Sequence, residues 1–381
     1  MKKSLIALAA LAATASFAQS SVTIDGVMDA GFQAINYKGN SVNGINGNGS
    51  STSQINFRGN FDLGSGLKAD FRVETDWNTV SNSANTGAKN TPVAGATGGT
   101  GGGSTITYSD STLANGASFG NGEIRTGLAG GFGKVQFGAI NNNTLIANLT
   151  GQPFGTAIGS GHGAIIRSNA AGTAVRNDNS VQYISPNFSG FDVAYLQSNA
   201  QSKAVDSTSV KSTSFSSSMG AYDQAGVKEL SVSYANGPLA ARFTNLKQQN
   251  LAALGAADTT TNTLGANYAL GAAKVFLWNQ KNSAADNSFN TSGTTVSATY
   301  TMGATTLMAQ MGSVKSSAGA TNGKKSTLTG LGFDYALSKT TFVYGRYEAI
   351  DDKAALIAAA ATIDGTDSKR TRTALGLRVG F

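Results

Sequence analysis

Seven short, turn-forming stretches divide this 381-residue chain at regular intervals: "DLGSG" (62–66), "GGFG" (130–133), "SPNFSG" (185–190), "NGP" (236–238), "LGA" (270–272), "MGA" (302–304) and "LSK" (337–339). Most carry the Gly, Asn or Pro that a tight reversal requires. Between consecutive short turns lie two strand-like segments and one longer stretch rich in Gly, Ser, Asn and Thr. The long stretches fall at 38–50, 79–115, 141–176, 199–225, 249–260, 282–294, 316–325 and 351–369. Seven short and eight long connections make fifteen, and so predict sixteen antiparallel strands with both termini on the short-turn side.

The segments between the turns alternate with period 2. In "LKADFRVETDW" (67–77), Leu67, Ala69, Phe71, Val73 and Trp77 alternate with Lys68, Asp70, Arg72, Glu74 and Asp76. In "VTIDGVMDAGF" (22–32), Val22, Ile24, Met28 and Phe32 oppose Thr23, Asp25 and Asp29. A strand charged on every second residue needs water on that face, and its other face needs a core or lipid. The expected strands are 20–37, 51–61, 67–78, 116–129, 132–140, 177–185, 190–198, 227–235, 239–248, 261–269, 273–281, 295–301, 304–315, 326–336, 340–350 and 370–381. Most match the ~9–11 residues with which a tilted strand crosses a bilayer.

Composition narrows the class. With 48 Gly, 4 Pro and 13% charged residues the chain is polar, but its 8% of aromatics argues against disorder. Residues 1–18, "MKKSLIALAALAATASFA", have a charged start, a short apolar run and a small-x-small cleavage site, as in a secretory leader. The mature chain is expected to span 19–381. No cysteine is present, so an exported chain has no disulfides to staple it. The net charge of +7 comes with no basic cluster or nucleic-acid motif, so nucleic acid is not an expected partner.

Strict short–long alternation separates the all-β folds. Sandwiches and Greek keys use crossing connections and bury both inner faces in a dry core. A transmembrane barrel has short periplasmic turns, long extracellular loops, an even strand count, an apolar exterior and a polar lumen. Closure also removes the open edges that hydrocarbon cannot satisfy. Sixteen strands is a size that leaves a water-filled channel. The fold class expected is therefore all-β: a sixteen-stranded antiparallel transmembrane barrel.

Several stretches carry a family likeness: "QSSVTIDGVMDAGF" (19–32), "INFRGNFDLGSGLKADFRVE" (55–74), "GGFGKVQFG" (130–138), "NSVQYISPNFSGFDVAY" (179–195), "YANGPLAARF" (234–243), "DYALSKTTFVYGRY" (334–347) and "TRTALGLRVGF" (371–381). They run through the chain in order. The sequence resembles the Gram-negative general porins of β-proteobacterial type, among them the neisserial and comamonad porins. The resemblance implies a homotrimer in the outer membrane, in contact with its lipids and assembled by the β-barrel assembly machinery. It also implies an inward-folded third loop, 141–176, and passive passage of small ions and hydrophilic solutes without a cofactor. The chain departs from the family pattern at Asn187, where Glu is common, and near Ala139, where a polar residue is.

Assigning charge to the water-facing side places Arg58, Arg72, Arg125, Arg372 and Arg378 in the lumen. In the family, arginines matching Arg58 and Arg176 line the constriction. An arginine keeps its charge at any relevant pH and presents a fixed fork of donors. Between Asn141 and Val175 there is no Asp or Glu, and Arg167 is the only charged side chain. The counter-charges sit on the wall as Asp25, Asp29, Asp70, Glu74 and Asp76. Moderate anion preference follows as an expectation, with Arg58, Arg176, Arg125, Arg72, Arg167, Glu74 and Asp25 as its residues. Each arginine is read alternatively as a solvated wall residue paired with a carboxylate, Arg72 with Glu74 above all. "QPFGTAIGSG" (152–161), with Pro153, Phe154 and Gly155, is read as the inward tip of the loop or as a flexible surface loop. Tyr37, Phe61, Trp77, Tyr183, Phe191, Tyr195, Tyr268, Tyr300 and Tyr335 fit aromatic girdles.

Other functions fit less well. His162 is the only histidine, so a hydrolase triad has a single candidate base, inside "GSGHGA", and zinc sites built on paired His or Cys are excluded. The glycines at 98–103 precede no Lys and no helix pattern, so no phosphate loop is supported. A substrate-specific channel with a saturable site and a surface adhesin remain as alternatives. Phe381, ending an alternating strand, resembles the signal read by the assembly machinery.

Overall fold

A computed structural model describes residues 20–37, 39–77, 79–80, 120–168, 175–198, 226–249, 257–357 and 368–381. The expected leader, most of the stretch 79–115 and all of 199–225 lie outside the described residues.

The strands are β1 (Ser21–Tyr37), β2 (Asn40–Gly47), β3 (Gln54–Gly64), β4 (Leu67–Asp76), β5 (Ile124–Gly130), β6 (Gly133–Asn141), β7 (Arg176–Ile184), β8 (Phe191–Ser198) and β9 (Gly226–Asn236). They continue as β10 (Leu239–Gln249), β11 (Thr259–Leu270), β12 (Ala273–Ala284), β13 (Asn290–Met302), β14 (Thr305–Ser316), β15 (Lys325–Ala336), β16 (Thr341–Asp352) and β17 (Lys369–Gly380). One helix, α1 (Asn143–Thr150), follows β6. Each strand pairs antiparallel with its neighbour, and β17 pairs with β1 from Val27↔Gly380 to Tyr37↔Arg370, so the sheet closes.

Seventeen segments fill sixteen wall positions, because β2 and β3 lie end to end along one flank of β1. The upper half of β1 pairs with β2 (Tyr37↔Asn40) and the lower half with β3 (Val27↔Gln54). The stretch 38–50, expected as a loop, thus contains a strand. Residues 48–53 leave the wall between β2 and β3 and close over Asp29. Its carboxylate accepts the amides of Gly49 (3.2 Å), Ser50 (2.9 Å) and Ser51 (2.8 Å) and the hydroxyl of Tyr344 (2.6 Å). The expected strand 116–129 is shorter, since β5 begins at Ile124. The expected strand 295–301 is longer, since β13 runs from Asn290 to Met302.

The outer surface is apolar, as the alternation requires. Val22, Ile24, Phe32, Leu230, Val232, Leu375, Leu377 and Phe381 are all exposed, while Gln33, Glu229, Ser231, Gln280 and Arg372 on the opposite parity are buried inside. Near the short-turn rim, Phe132, Tyr183, Phe191, Tyr268, Tyr300 and Tyr335 are exposed aromatics. Such a belt suits the membrane interface. Tyr37 is not part of a belt. It shares the inward parity of Asp29 and Gln33 and is buried at the register position of Arg370.

The largest apolar cluster of the interior lies on one side of the barrel. Ala164, Ile165 and Ile166, from the segment between β6 and β7, pack with Trp278, Val314, Leu328, Ile350, Ala354 and Leu356. That cluster fills the lumen beside β12–β16 and leaves the open passage along β1–β8, with Arg242 of β10 and Arg372 of β17 at its borders.

Candidate functional site: a charged channel and its inward segment

Residues 142–168 fold into the barrel and rest on its wall. Asn142 caps α1 by accepting the amide of Leu145 at 2.8 Å. The first-turn amides are taken up by a carboxylate from the wall. Glu229 on β9 accepts from the amides of Asn143 (2.6 Å) and Thr144 (2.6 Å), the Thr144 hydroxyl (2.7 Å) and the Asn143 side chain (3.1 Å). A helix N-terminus offers unpaired N–H groups and a positive dipole end, and a buried carboxylate satisfies both. Trp278 and Asn267 donate to Asn148 and to the Thr150 carbonyl further along, both at 2.8 Å. The helix reaches the sheet because Gly265 has no side chain, where a Cβ would collide with the carbonyl oxygen of Ala147.

The far end of the segment is held by Glu348 on β16. It accepts the amides of Gly159 (3.1 Å) and Gly161 (2.9 Å) and ion-pairs with Arg370 (3.0 Å) and Arg372 (2.8 Å). Gly330 plays the part of Gly265 here, since a Cβ would meet the Gly159 carbonyl. Phe154 is buried against Gly332 and Arg346, while Gly155 lines the open passage and Pro153 is half-buried.

Opposite the segment runs a lattice of alternating charge. Arg58, Arg72 and Arg125 are directly opposite one another on β3, β4 and β5. Like charges in register repel, and carboxylates one step away along the strands compensate. Arg58 pairs with Asp25 (2.6 Å). Arg72 pairs with Glu74 and Glu123, the second at 2.6 Å. Arg125 pairs with Asp70, which also holds Lys134 at 2.9 Å. Arg176 bridges Glu74 (2.8 Å) and Asp76 (2.9 Å). The structure therefore brings Asp25, Arg58, Arg72, Glu74, Arg125 and Arg176 together. It also adds Glu123, which lies just before β5.

Arg167 lies apart from this lattice. It is buried, donates to the Leu356 carbonyl at 2.5 Å and stacks over Phe289 at 5.1 Å. Burial pulls its guanidinium down to about 10, partly offset by Asp352, so it stays charged at neutral pH. Its contacts join the inward segment to the stretch after β16.

Two cavities follow the charged wall. The outer one, about 440 Å³, is lined by Arg72, Glu74, Asp76, Arg176 and Arg372, with Ile146, Leu149 and Ile158 across from them. The inner one, about 310 Å³, is lined by Arg72, Glu123, Arg125, Lys134, Asp192 and Arg242. Arg72, Asn141 and Ile146 line both and so mark the neck between them. His162 faces the outer cavity, 2.9 Å from the Ser168 hydroxyl.

The sequence matches the Gram-negative porin profile over residues 5–355. It is 33% identical over 284 residues to outer membrane porin protein 32 of Delftia acidovorans, covering 72% of this chain and 68% of that protein. It is 29% identical over 304 residues to an outer membrane porin protein of Bordetella pertussis, covering 73% and 68%. Among solved structures, the anion-selective porin from Comamonas acidovorans superposes with a TM-score of 0.68 at 22% identity, over 95% of this chain and 100% of that one. The trimer form of OmpT from Vibrio cholerae gives 0.62 at 16% identity, over 96% and 100%. A closed sixteen-stranded barrel, apolar outside and charged within, thus meets a family match across most of its length: the chain belongs to the Gram-negative porins and forms a channel in the outer membrane.

Proposed function

We propose that this channel passes ions and small hydrophilic solutes by passive diffusion, with a moderate preference for anions. The charge of the lining carries the reading. Three arginines face two carboxylates in the outer cavity, and Arg72, Arg125, Lys134 and Arg242 face Glu123 and Asp192 in the inner one. The inward segment adds no carboxylate of its own. A narrow aqueous neck with a surplus of fixed cations favours anions. The family resemblance and the name of the Comamonas relative point the same way. The reversal potential in a KCl gradient across a planar bilayer is expected to show anion selectivity, and cation selectivity would sink the proposal. Saturable block of conductance by one solute would instead favour a substrate-specific channel.

The same reading assigns the constriction to Arg72, with Arg58, Arg125, Arg176, Glu74 and Asp25 as the surrounding lattice. It takes the functional unit as a homotrimer, in keeping with the trimer form of the Vibrio relative. Phe381 is proposed as the assembly signal. Its backbone is tied to Gly26 by bonds of 3.0 and 3.1 Å while its ring is exposed on the outer face. Deleting Phe381 is expected to lower the yield of outer-membrane barrel without changing single-channel conductance.

A further inference from the structure

The wall of a water-filled passage is polar, and the passage here departs from that rule along α1. On α1, Ile146 and Leu149 are 36% and 38% exposed, although the helix lies inside the barrel. Spaced i, i+3, they share one face of the helix. That face looks into the passage, since Ile146 lines both cavities and Leu149 the outer one, beside the buried Ile158 and Leu145. The opposite face of α1 is the one fixed to the wall through Glu229, Gly265 and Trp278. The apolar stripe is therefore held in place, not left over from loose packing. Across the same outer cavity stand Arg72, Arg176 and Arg372; Arg72 and Arg176 are ion-paired with Glu74, Glu123 and Asp76, yet the lining of that cavity still counts three guanidinium groups against the two carboxylates of Glu74 and Asp76.

A solute in the neck thus meets a charged wall with a surplus of cations on one side and an apolar stripe on the other. From this we infer that the channel favours organic monoanions with an apolar body, such as short alkyl carboxylates, over equally charged anions that are hydroxylated throughout. The carboxylate end lies toward Arg72 and Arg176, and the alkyl end covers Ile146 and Leu149. Covering those side chains removes apolar surface of both partners from water, which a polyhydroxylated chain cannot do without stripping its own hydration. The inference rests on the anion preference proposed above and names the solutes that benefit from it.

The test compares hexanoate with gluconate, two six-carbon monocarboxylates, each against chloride under bi-ionic conditions. In the unmodified channel the hexanoate-to-chloride permeability ratio is expected to exceed the gluconate-to-chloride ratio. In the double variant Ile146→Gln, Leu149→Gln, the hexanoate ratio is expected to fall about four- to fifteenfold, the loss of one or two buried methylene equivalents. The gluconate ratio should move by less than about twofold on the same scale. A second variant, Ile146→Leu with Leu149→Met, keeps the stripe apolar and should keep the hexanoate advantage, which separates apolarity from mere disturbance of the helix. Equal falls for both anions, or a double variant with hexanoate undiminished, would overturn the inference while leaving the anion preference standing. Cation selectivity in the KCl gradient would remove both.

Discussion

Glu229 and Glu348 hold opposite ends of the same inward segment, and both are fully buried, yet they hold it by different physics. Glu229 answers a helix N-terminus, and it accepts from two amides, a hydroxyl and a side-chain amide, all of Asn143 and Thr144. The first turn of α1 contains no acidic residue, so the wall supplies what the helix lacks. Glu348 has no helix to answer. It joins the isolated amides of Gly159 and Gly161 to two arginines of the neighbouring strand, with Arg372 directly opposite in register. Because Arg372 also lines the outer cavity, Glu348 couples the shape of the passage to its charge, whereas Glu229, which forms no ion pair among the described residues, acts mainly on shape and reaches Arg242 of the inner cavity through Asn143.

The largest effect is expected at the coupled end. Glu348→Ala leaves the side chains of Arg370 and Arg372, only 10% and 9% exposed, without their buried counter-charge. Stranding a buried charge costs about 3–5 kcal/mol, so the thermal midpoint of the purified barrel should drop, and the open channel should become noisy and more anion-selective. An unchanged selectivity would break the claimed coupling. Glu229→Gln keeps an acceptor but loses its charge, at a cost of about 1.5–3 kcal/mol. Its signature is added current noise at a constant reversal potential, and a shifted reversal potential would erase the distinction between the two anchors.

Smaller effects sharpen the contrast. Gly265→Ala and Gly330→Ala each push the segment off the wall, for roughly 1–3 kcal/mol. Only the first moves α1 and Ile146 into the neck, so conductance should fall for Gly265→Ala and stay nearer the parent value for Gly330→Ala. The least consequence is expected from Arg167→Met, which gives up hydrogen bonds to the Ala164 and Leu356 carbonyls and a stacking contact but also relieves the burial of a cation, for about 1 kcal/mol or less. A large selectivity change in that variant would place Arg167 in the ion path after all.

The wall was legible because its rules are local. Period-2 alternation and short turns lie within a few residues of each other, so "LKADFRVETDW" declares its two faces without reference to the rest of the chain. The inward parity of Arg58, Arg72 and Arg125 is read the same way. β2 was not legible, because "NSVNGING" has the composition of a loop and becomes a strand only where β1 extends far enough to pair with it. The helix α1 was missed as well, being eight residues inside a Gly-rich stretch, though Asn142 and the spacing of Leu145, Ile146 and Leu149 carried its signal. Glu123, Glu229 and Glu348 show the limit of parity. It can mark a carboxylate as inward, but the amide or guanidinium it meets may lie nearly two hundred residues away, as Gly159 does from Glu348.

The pairing of β1 with β17 also has a temporal side. Val27 and Gly380 are joined across about 350 residues, yet a closure of that length costs little more than a shorter one, because loop entropy grows only logarithmically. The burden falls on rate, as it does wherever distant segments must meet before they are rewarded. Until the final strand arrives, the first strand has a bare flank, and both flanks are templates for unwanted pairing with other chains. A copy shortened by one strand would not be a slightly narrower pore. It would be a curved sheet with two sticky borders, and the cell would meet it as a candidate for aggregation or degradation.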